Sequence, residues 1–202
     1  PLPWRQLARE GSVREPEPLV RDVLALTERH DVISLQAGLP AAELLPLDDL
    51  RRVQEEILAK KGPEALLHSP TEGVTAFREA ICRHMVPRGI RSSPEEVLVT
   101  SGSQQGLDLV ARTLLAPGDV VVVEEPSFFG ALEAFRSARV RLLGVPVDAE
   151  GMRTDLLEGL LARQHARLVY TLPTFQNPSG RVLSAARRKH LLGRGFDEVG
   201  IH

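Results

Sequence analysis

Three short loops carry the residues of this sequence that are best suited to chemistry. The first, at 100–106, is a small polar turn that leads directly into a predicted helix. The start of a helix presents free backbone N–H groups and the positive end of the helix dipole, and Gly102 lets the backbone approach a ligand closely. The loop therefore suits a phosphate group, although an ordinary N-capped helix explains the same residues.

The glycines of this loop do not fit the common nucleotide-binding patterns. No Gly-Lys-Ser/Thr follows them, as a P-loop requires, and the spacing of Gly102 and Gly106 differs from G-x-G-x-x-G. These departures argue against an unrelated α/β nucleotide-binding domain.

The second and third loops each follow a predicted strand. At 124–130 the chain leaves the strand through Pro126 and presents Phe128, whose ring could stack on a flat ligand or simply join the core. At 173–180 two prolines and a glycine fix an extended loop in which Asn177 presents its amide, although Asn-Pro-Ser-Gly is also a common turn.

The elements that must position these loops alternate between strands and helices. Strands are predicted at 97–100, 120–123, 140–143 and 168–172, and the helices between and after them at 104–115, 129–138, 154–165 and 184–192. Continuous apolar strands of this kind predict an α/β fold with a mainly parallel sheet covered by helices on both faces. Ligands in such sheets bind beyond the carboxyl ends of the strands, where all three loops begin. Upstream, helices are predicted at 18–30, from about Leu50 to Gly62, and after Thr71.

Composition limits the range of functions. The chain has 202 residues, with 25 basic and 27 acidic side chains and a formal net charge of −2, which gives no electrostatic reason to expect nucleic acid as a partner. No apolar run approaches the ~18 residues that span a bilayer, so we expect no membrane association and a cytoplasmic location. The single cysteine, Cys82, excludes an intrachain disulfide, and no metal site is predicted.

Taken in order, the three loops resemble those of fold-type I pyridoxal-phosphate-dependent aminotransferases of class I/II. The segments Ala-Gly-Leu-Pro at 37–40 and His-Ser-Pro-Thr-Glu-Gly at 68–73 are similar to the subgroup of 2-aminoadipate and other broad-specificity aminotransferases. The resemblance extends from about residue 10 to 190. It implies an N-terminal arm, helix and substrate-side turn at 1–46, followed by an incomplete cofactor-binding large domain at 47–202.

The resemblance also implies which residues bind the cofactor, pyridoxal 5'-phosphate. Its phosphate would be held by Gly102, Ser103 and Gln104. Phe128, where the family usually has tyrosine, would stack on the pyridine ring, and Asn177 would donate a hydrogen bond to the phenolic oxygen.

Two further residues have roles that depend on the resemblance. Gly38 would lie against the substrate. His68 occupies the place of a family tyrosine that crosses a homodimer interface to the partner's phosphate, and a surface histidine in a turn is the simpler alternative. The resemblance further implies that strand 97–100 does not pair with the other three strands within this chain.

The chain lacks the lysine to which the family attaches its cofactor. Lys60, Lys61 and Lys189 are the only lysines, and none follows a strand in a Ser-x-x-Lys loop. Asp197 only superficially resembles the aspartate that pairs with the pyridine nitrogen. We therefore expect the N-terminal half of an aminotransferase that exchanges amino groups between an amino acid and a 2-oxo acid. The alternative is a non-catalytic, ligand-sensing aminotransferase-like domain of a transcription regulator.

Overall fold

The computed structural model of the protein describes residues 40–193. The chain separates into two compact units, Pro1–Pro70 and Thr71–His202. The predicted helix at 18–30, Gly38 and Asp197 lie outside the described residues. The predicted division of the chain at residues 46 and 47 stays a prediction.

The first unit contains one long helix between two short 3-10 helices. Helix α1 spans Leu47–Lys61, and the 3-10 helices span Ala42–Leu44 and Gly62–Leu66. The predicted stop signal is confirmed, because α1 ends at Gly62, whose φ of +52° favours glycine. Acidic residues in the first turn of α1 and lysines in its last turn complement the helix dipole.

The second unit is a four-stranded sheet with helices. Its helices are α2 (Thr75–Met85), α3 (Ser103–Leu114), α4 (Phe129–Ser137), α5 (Thr154–Arg163) and α6 (Ala185–Leu192), with 3-10 helices at Val86–Arg88 and Pro94–Glu96. Its strands are β1 (Val120–Glu125), β2 (Arg141–Asp148), β3 (Gly151–Met152) and β4 (Ala166–Tyr170). The strand order is β3-β2-β1-β4. β1 is parallel to β2 and β4, and β3 is antiparallel to β2, which confirms the predicted mainly parallel sheet.

Strand β1 lies at the centre of this unit, and its valines are buried on both faces of the sheet. Side chains alternate along a strand. Val121 and Val123 pack with α3 and α4, in a cluster that includes Phe135, whereas Val122 packs with β2, β3 and α5 around Met152. Helices therefore cover both faces, as the sequence predicts.

The prediction of a strand at 97–100 is wrong. Val97 has extended dihedral angles, but the segment joins no strand of the described chain, and Leu98 is 53% exposed. Val99 N–H donates to the Glu72 carbonyl at 3.0 Å, and Val97 N–H donates to the Pro94 carbonyl at 3.3 Å. An extended segment becomes a strand only when a neighbouring strand pairs with its backbone, and the predicted lack of pairing with β1, β2 and β4 is confirmed.

Two features of the sheet were not predicted from the sequence. Strand β2 continues to Asp148, five residues past the predicted apolar run, because Gly144 and Pro146 interrupt the sequence signal without ending the strand. Strand β3 has two residues, too few to give a periodic pattern. Within residues 40–193, no helix combines the length and apolarity needed to cross a bilayer.

Candidate functional site

The candidate site lies at the carboxyl ends of β1 and β4. These neighbouring strands run parallel, with Val123 opposite Tyr170, so their exits meet at one edge of the sheet. The loop after β1 contains Phe128 and the loop after β4 contains Asn177. This is the edge at which ligands bind in open α/β sheets.

Helix α3 begins with a turn suited to an anion. Gly102, its N-cap, has a φ of +111°, and a Cβ there would meet no atom within 4 Å, so the positive φ rather than crowding favours glycine. The Thr100 hydroxyl donates to the Gly102 carbonyl at 3.1 Å, and Ser101 N–H donates to Gln105 Oε1 at 2.6 Å. The first N–H groups of the helix itself have no acceptor one turn earlier within the helix and can bind an anion.

The structure brings Gln104 and Phe128 together at Gly130. Gln104 Nε2 donates to the Gly130 carbonyl at 2.8 Å. A Cβ added at Gly130 would lie 2.5 Å from Gln104 Oε1 and 2.8 Å from Phe128 Cε1 and Cζ. The start of α3 and the loop after β1 therefore meet at a position where only a hydrogen atom fits. A glycine in the first turn of α4, where glycine is disfavoured, was the available sequence signal for this position.

Phe128 packs against the hydrophobic core and also lies at the carboxyl edge of the sheet. Its ring is half-buried and packs against the cluster formed by α3, β1 and α4. The neighbouring Phe129 is 44% exposed. Both interpretations of Phe128, as a core residue and as a platform for a flat ligand, agree with this position.

Gln176 ties the two loops together and was not identified from the sequence. Its side chain is only 2% exposed. Nε2 donates to the Pro126 carbonyl at 2.7 Å, and Oε1 accepts from Ser179 N–H at 2.9 Å and from the Ser179 hydroxyl. One amide thus joins the exit of β1 to the exit of β4. A polar residue inside a loop rich in proline gives no sequence signal for a partner 50 residues away.

Glu124 forms a second tie between the two strands. It is 2% exposed, and it accepts hydrogen bonds from the Thr171 hydroxyl at 2.6 Å and from Leu172 N–H at 3.1 Å. Burial raises the pKa of the Glu124 carboxyl, and these hydrogen bonds oppose the rise. Burial, together with the nearby Glu124, also raises the pKa of Tyr170 to about 12.

The other predicted site residues lie in different surroundings. Ser103 is the first residue of α3 and is exposed, and Asn177 is exposed directly after Gln176. His68 is exposed in the first unit, after the second 3-10 helix. Gly38 lies outside the described residues. The roles of these residues stay predictions.

None of the three lysines lies at a strand end. Lys60 and Lys61 form the last turn of α1, where Lys60 pairs with Glu56 at 3.3 Å, and Lys189 is exposed on α6. Within residues 40–193, no lysine is available at the carboxyl edge of the sheet.

Comparison with known protein families gives a match over most of the chain. Residues 30–193 match the family "Aminotransferase class I and II". The chain is 42% identical over 192 residues to the 2-aminoadipate transaminase of Thermus thermophilus, an alignment that covers 95% of this chain and 47% of that protein. It is 33% identical over 192 residues to an uncharacterized HTH-type transcriptional regulator of Bacillus subtilis, covering 95% of this chain and 39% of the regulator.

The fold is also similar to that of solved aminotransferases. The crystal structure of Pyrococcus horikoshii kynurenine aminotransferase, a complex with PMP, superposes with a TM-score of 0.85 at 38% identity, covering 95% of this chain and 48% of that one. The chain therefore spans about half the length of these proteins.

Proposed function

Because the chain belongs to the class I and II aminotransferase family, we propose that the full-length protein transfers amino groups from an amino acid to a 2-oxo acid with pyridoxal 5'-phosphate as cofactor. This chain would supply the loops that bind the cofactor's phosphate and ring. The observation that carries the proposal is the meeting of Gln104 and Phe128 at Gly130, since it joins an anion-binding helix start to an aromatic ring at one sheet edge.

The donors at the start of α3 fit the phosphate of this cofactor. A phosphate monoester needs several N–H or O–H donors and gains from the positive end of a helix dipole. The backbone N–H groups of Ser103 and Gln104 and the Ser103 hydroxyl are exposed donors of this kind. Gly102 keeps the approach open, because no side chain projects from it.

The residues after β1 and β4 fit the cofactor's ring. Phe128 presents an apolar ring that needs only its π-face to stack on a pyridine, and Asn177 carries an amide that can donate to a phenolic oxygen. When bound, the cofactor supplies an electron sink that allows an amino group to leave one carbon skeleton and join another. The residues of this chain hold and orient it but do not move the proton, because the chain has no lysine in the family's position.

The partners of the full-length protein follow from the same proposal. It would act as a homodimer in the cytoplasm, in which His68 donates to the phosphate bound by the partner subunit. Support for this role of His68 is its exposure and its place in the family motif. In this proposal neither nucleic acid nor a membrane is a partner of residues 1–202.

A second candidate function is ligand sensing without catalysis. It is favoured by the similarity to an HTH-type regulator over nearly the whole chain. A sensor would keep the cofactor-binding loops described here but would couple ligand binding to DNA binding by another domain.

Product formation by the purified full-length protein distinguishes the two functions. The protein is loaded with pyridoxal 5'-phosphate and incubated with single amino acids and 2-oxoglutarate, and the 2-oxo acid products are measured by mass spectrometry. We expect turnover with at least one amino acid. Tight cofactor binding with no turnover on any of the twenty would overturn transamination and support the sensor.

A further inference from the structure

Gln176 stands out because a fully buried amide lies next to the proposed site. Its side chain is 2% exposed, and both amide ends have partners. Its backbone is also engaged, since its N–H donates to the Arg181 carbonyl at 2.8 Å and its carbonyl accepts from Gly180 N–H at 2.5 Å. A buried amide with all of its groups satisfied fixes its own orientation and that of its neighbours.

The bonds of Gln176 join two loops that the sheet alone does not fix. In the described residues 126–130 and 171–180, no backbone hydrogen bond joins the loop after β1 to the loop after β4. The 2.7 Å bond from Gln176 Nε2 to the Pro126 carbonyl joins them instead. Pro126 lies two residues before Phe128, and Gln176 directly precedes Asn177. Gln176 therefore links the loop that carries Phe128 to the loop that carries Asn177.

The hydrogen bonds of Glu124 also connect the two strand ends, at residues closer to the sheet than Gln176 and Pro126. Its carboxyl group holds Thr171 and Leu172, the first residues after β4. The loop after β4 is thus attached to β1 at its beginning and to the loop after β1 at Gln176. Two successive attachments leave that loop little freedom to rotate about its first residues.

We propose that Gln176 is a positioning residue that holds Asn177 and Phe128 at the separation required by a flat, phosphorylated pyridine ligand. The inference rests on the proposed function, which supplies the ligand. Gln176 does not contact the ligand in this proposal. It acts through Asn177, the exposed donor that follows it, and through the loop that carries Phe128.

A test needs a ligand that binds without a lysine, and pyridoxamine 5'-phosphate meets this condition. Its affinity is measured by calorimetry in the full-length protein, and the affinity for inorganic phosphate is measured in parallel by phosphorus-31 NMR. Phosphate alone requires only the start of α3, whereas pyridoxamine 5'-phosphate also requires the two loops. The ratio of the two affinities therefore separates loop positioning from general loss of structure.

We expect Gln176→Met, which keeps the volume but loses the amide, to weaken pyridoxamine 5'-phosphate binding by about tenfold, because the Pro126 and Ser179 partners lose their bonds. The affinity for inorganic phosphate should stay at the wild-type value. Gln164→Met, at the end of α5, is the matched control, since it removes a glutamine amide bonded to Arg141 and should leave both affinities unchanged.

Gln176→Asn is a second variant in case the methionine variant fails to fold. Its amide is one methylene shorter and should not span the distance to the Pro126 carbonyl, so the same selective loss is expected. Unchanged affinity for pyridoxamine 5'-phosphate in a folded variant would overturn the inference. An equal loss of both affinities would also overturn it, because it would reduce Gln176 to general structural support. Failure of the wild-type protein to bind pyridoxamine 5'-phosphate would instead overturn the proposed function and remove the inference with it.

Discussion

Glu124 accepts a hydrogen bond of 2.6 Å from the hydroxyl group of Thr171, a residue 47 positions further along the chain. The bond joins the carboxyl ends of β1 and β4, which are neighbours in the sheet. Within residues 40–193, Glu124 forms no ion pair, so its carboxyl group is buried with hydrogen bonds but without a neutralising cation. Its ionisation therefore affects the stability of this edge of the sheet.

The first prediction concerns the pH dependence that this carboxyl group produces. Because the pKa of Glu124 is raised in the folded state, the unfolded state loses its proton first as the pH rises above the ordinary value of 4.5. The folded state is therefore penalised increasingly until the pH exceeds the folded pKa. Glu124→Gln keeps an acceptor for Leu172 N–H and offers a donor to Thr171, but it cannot ionise. Its stability relative to wild type should increase as the pH rises above 4.5 and stop increasing once the pH exceeds the folded pKa.

Urea unfolding of the full-length protein at four pH values measures this trend. Glu125→Gln is the control, since Glu125 is the next residue of β1 and is exposed. A difference between Glu124→Gln and wild type that stays constant with pH would contradict the prediction.

The second prediction concerns Gly130. Gly130→Ala places a Cβ 2.5 Å from Gln104 Oε1 and 2.8 Å from the Phe128 ring, so one of these side chains must move. We expect a loss of about 1–3 kcal/mol in the free energy of unfolding, together with weaker binding of pyridoxamine 5'-phosphate.

The matched control is Gly159→Ala in α5, where a Cβ would meet nothing within 4 Å. It should stabilise the protein by about 0.5–1 kcal/mol, as alanine normally does in a helix. Equal effects of the two substitutions would mean that the close approach at Gly130 is unimportant.

The third prediction concerns Arg187, which attaches α6 to the β2–β3 hairpin. It donates to both carboxylate oxygens of Asp148, at 2.6 and 2.8 Å, and to the carbonyl groups of Gly151 and Met152. Arg187→Met should lower the free energy of unfolding by about 1–3 kcal/mol, because the two carbonyl groups lose a partly buried donor. Arg153→Met, which breaks an exposed pair with Asp155, should have a much smaller effect, because solvent screens exposed ion pairs.

The Arg187 variant should also change the response to acid. Hydrogen bonding to Arg187 lowers the pKa of Asp148 from 3.8 to about 2. The stabilisation is therefore complete above pH 3.8 and is lost as the pH falls toward 2. Arg187→Met should remove most of this loss, which unfolding measurements between pH 2 and pH 5 can detect. An unchanged acid response would argue against the pairing.

The fourth prediction concerns residues 1–202 by themselves. They should show no transaminase activity and form no borohydride-reducible adduct in the cofactor site, because no lysine follows a strand in the family's position. Mass spectrometry after reduction with pyridoxal 5'-phosphate locates any adduct. Stoichiometric labelling of Lys60, Lys61 or Lys189 together with turnover would contradict this, whereas scattered surface labelling would not.

Local sequence patterns determined most of the secondary structure and the location of the loops. Four consecutive valines predicted β1, because a strand buried on both faces must be apolar throughout. The small polar turn at Gly102 predicted the start of α3, and the alternation of strands with helices predicted the parallel sheet. Since parallel strands end at one edge, the sequence also placed the loops of Phe128 and Asn177 together.

Tertiary structure decided what no local pattern records. Segment 97–100 has the composition of a strand, but it is not one, since pairing depends on a neighbour supplied by the rest of the fold. The bonds from Gln176 to Pro126 and from Thr171 to Glu124 join residues 50 and 47 positions apart. The order of strands in the sheet determines which residues are brought together to form these bonds. The residue type shows only that a side chain can form a hydrogen bond. The packing of β1 beside β4 determines which residue becomes its partner.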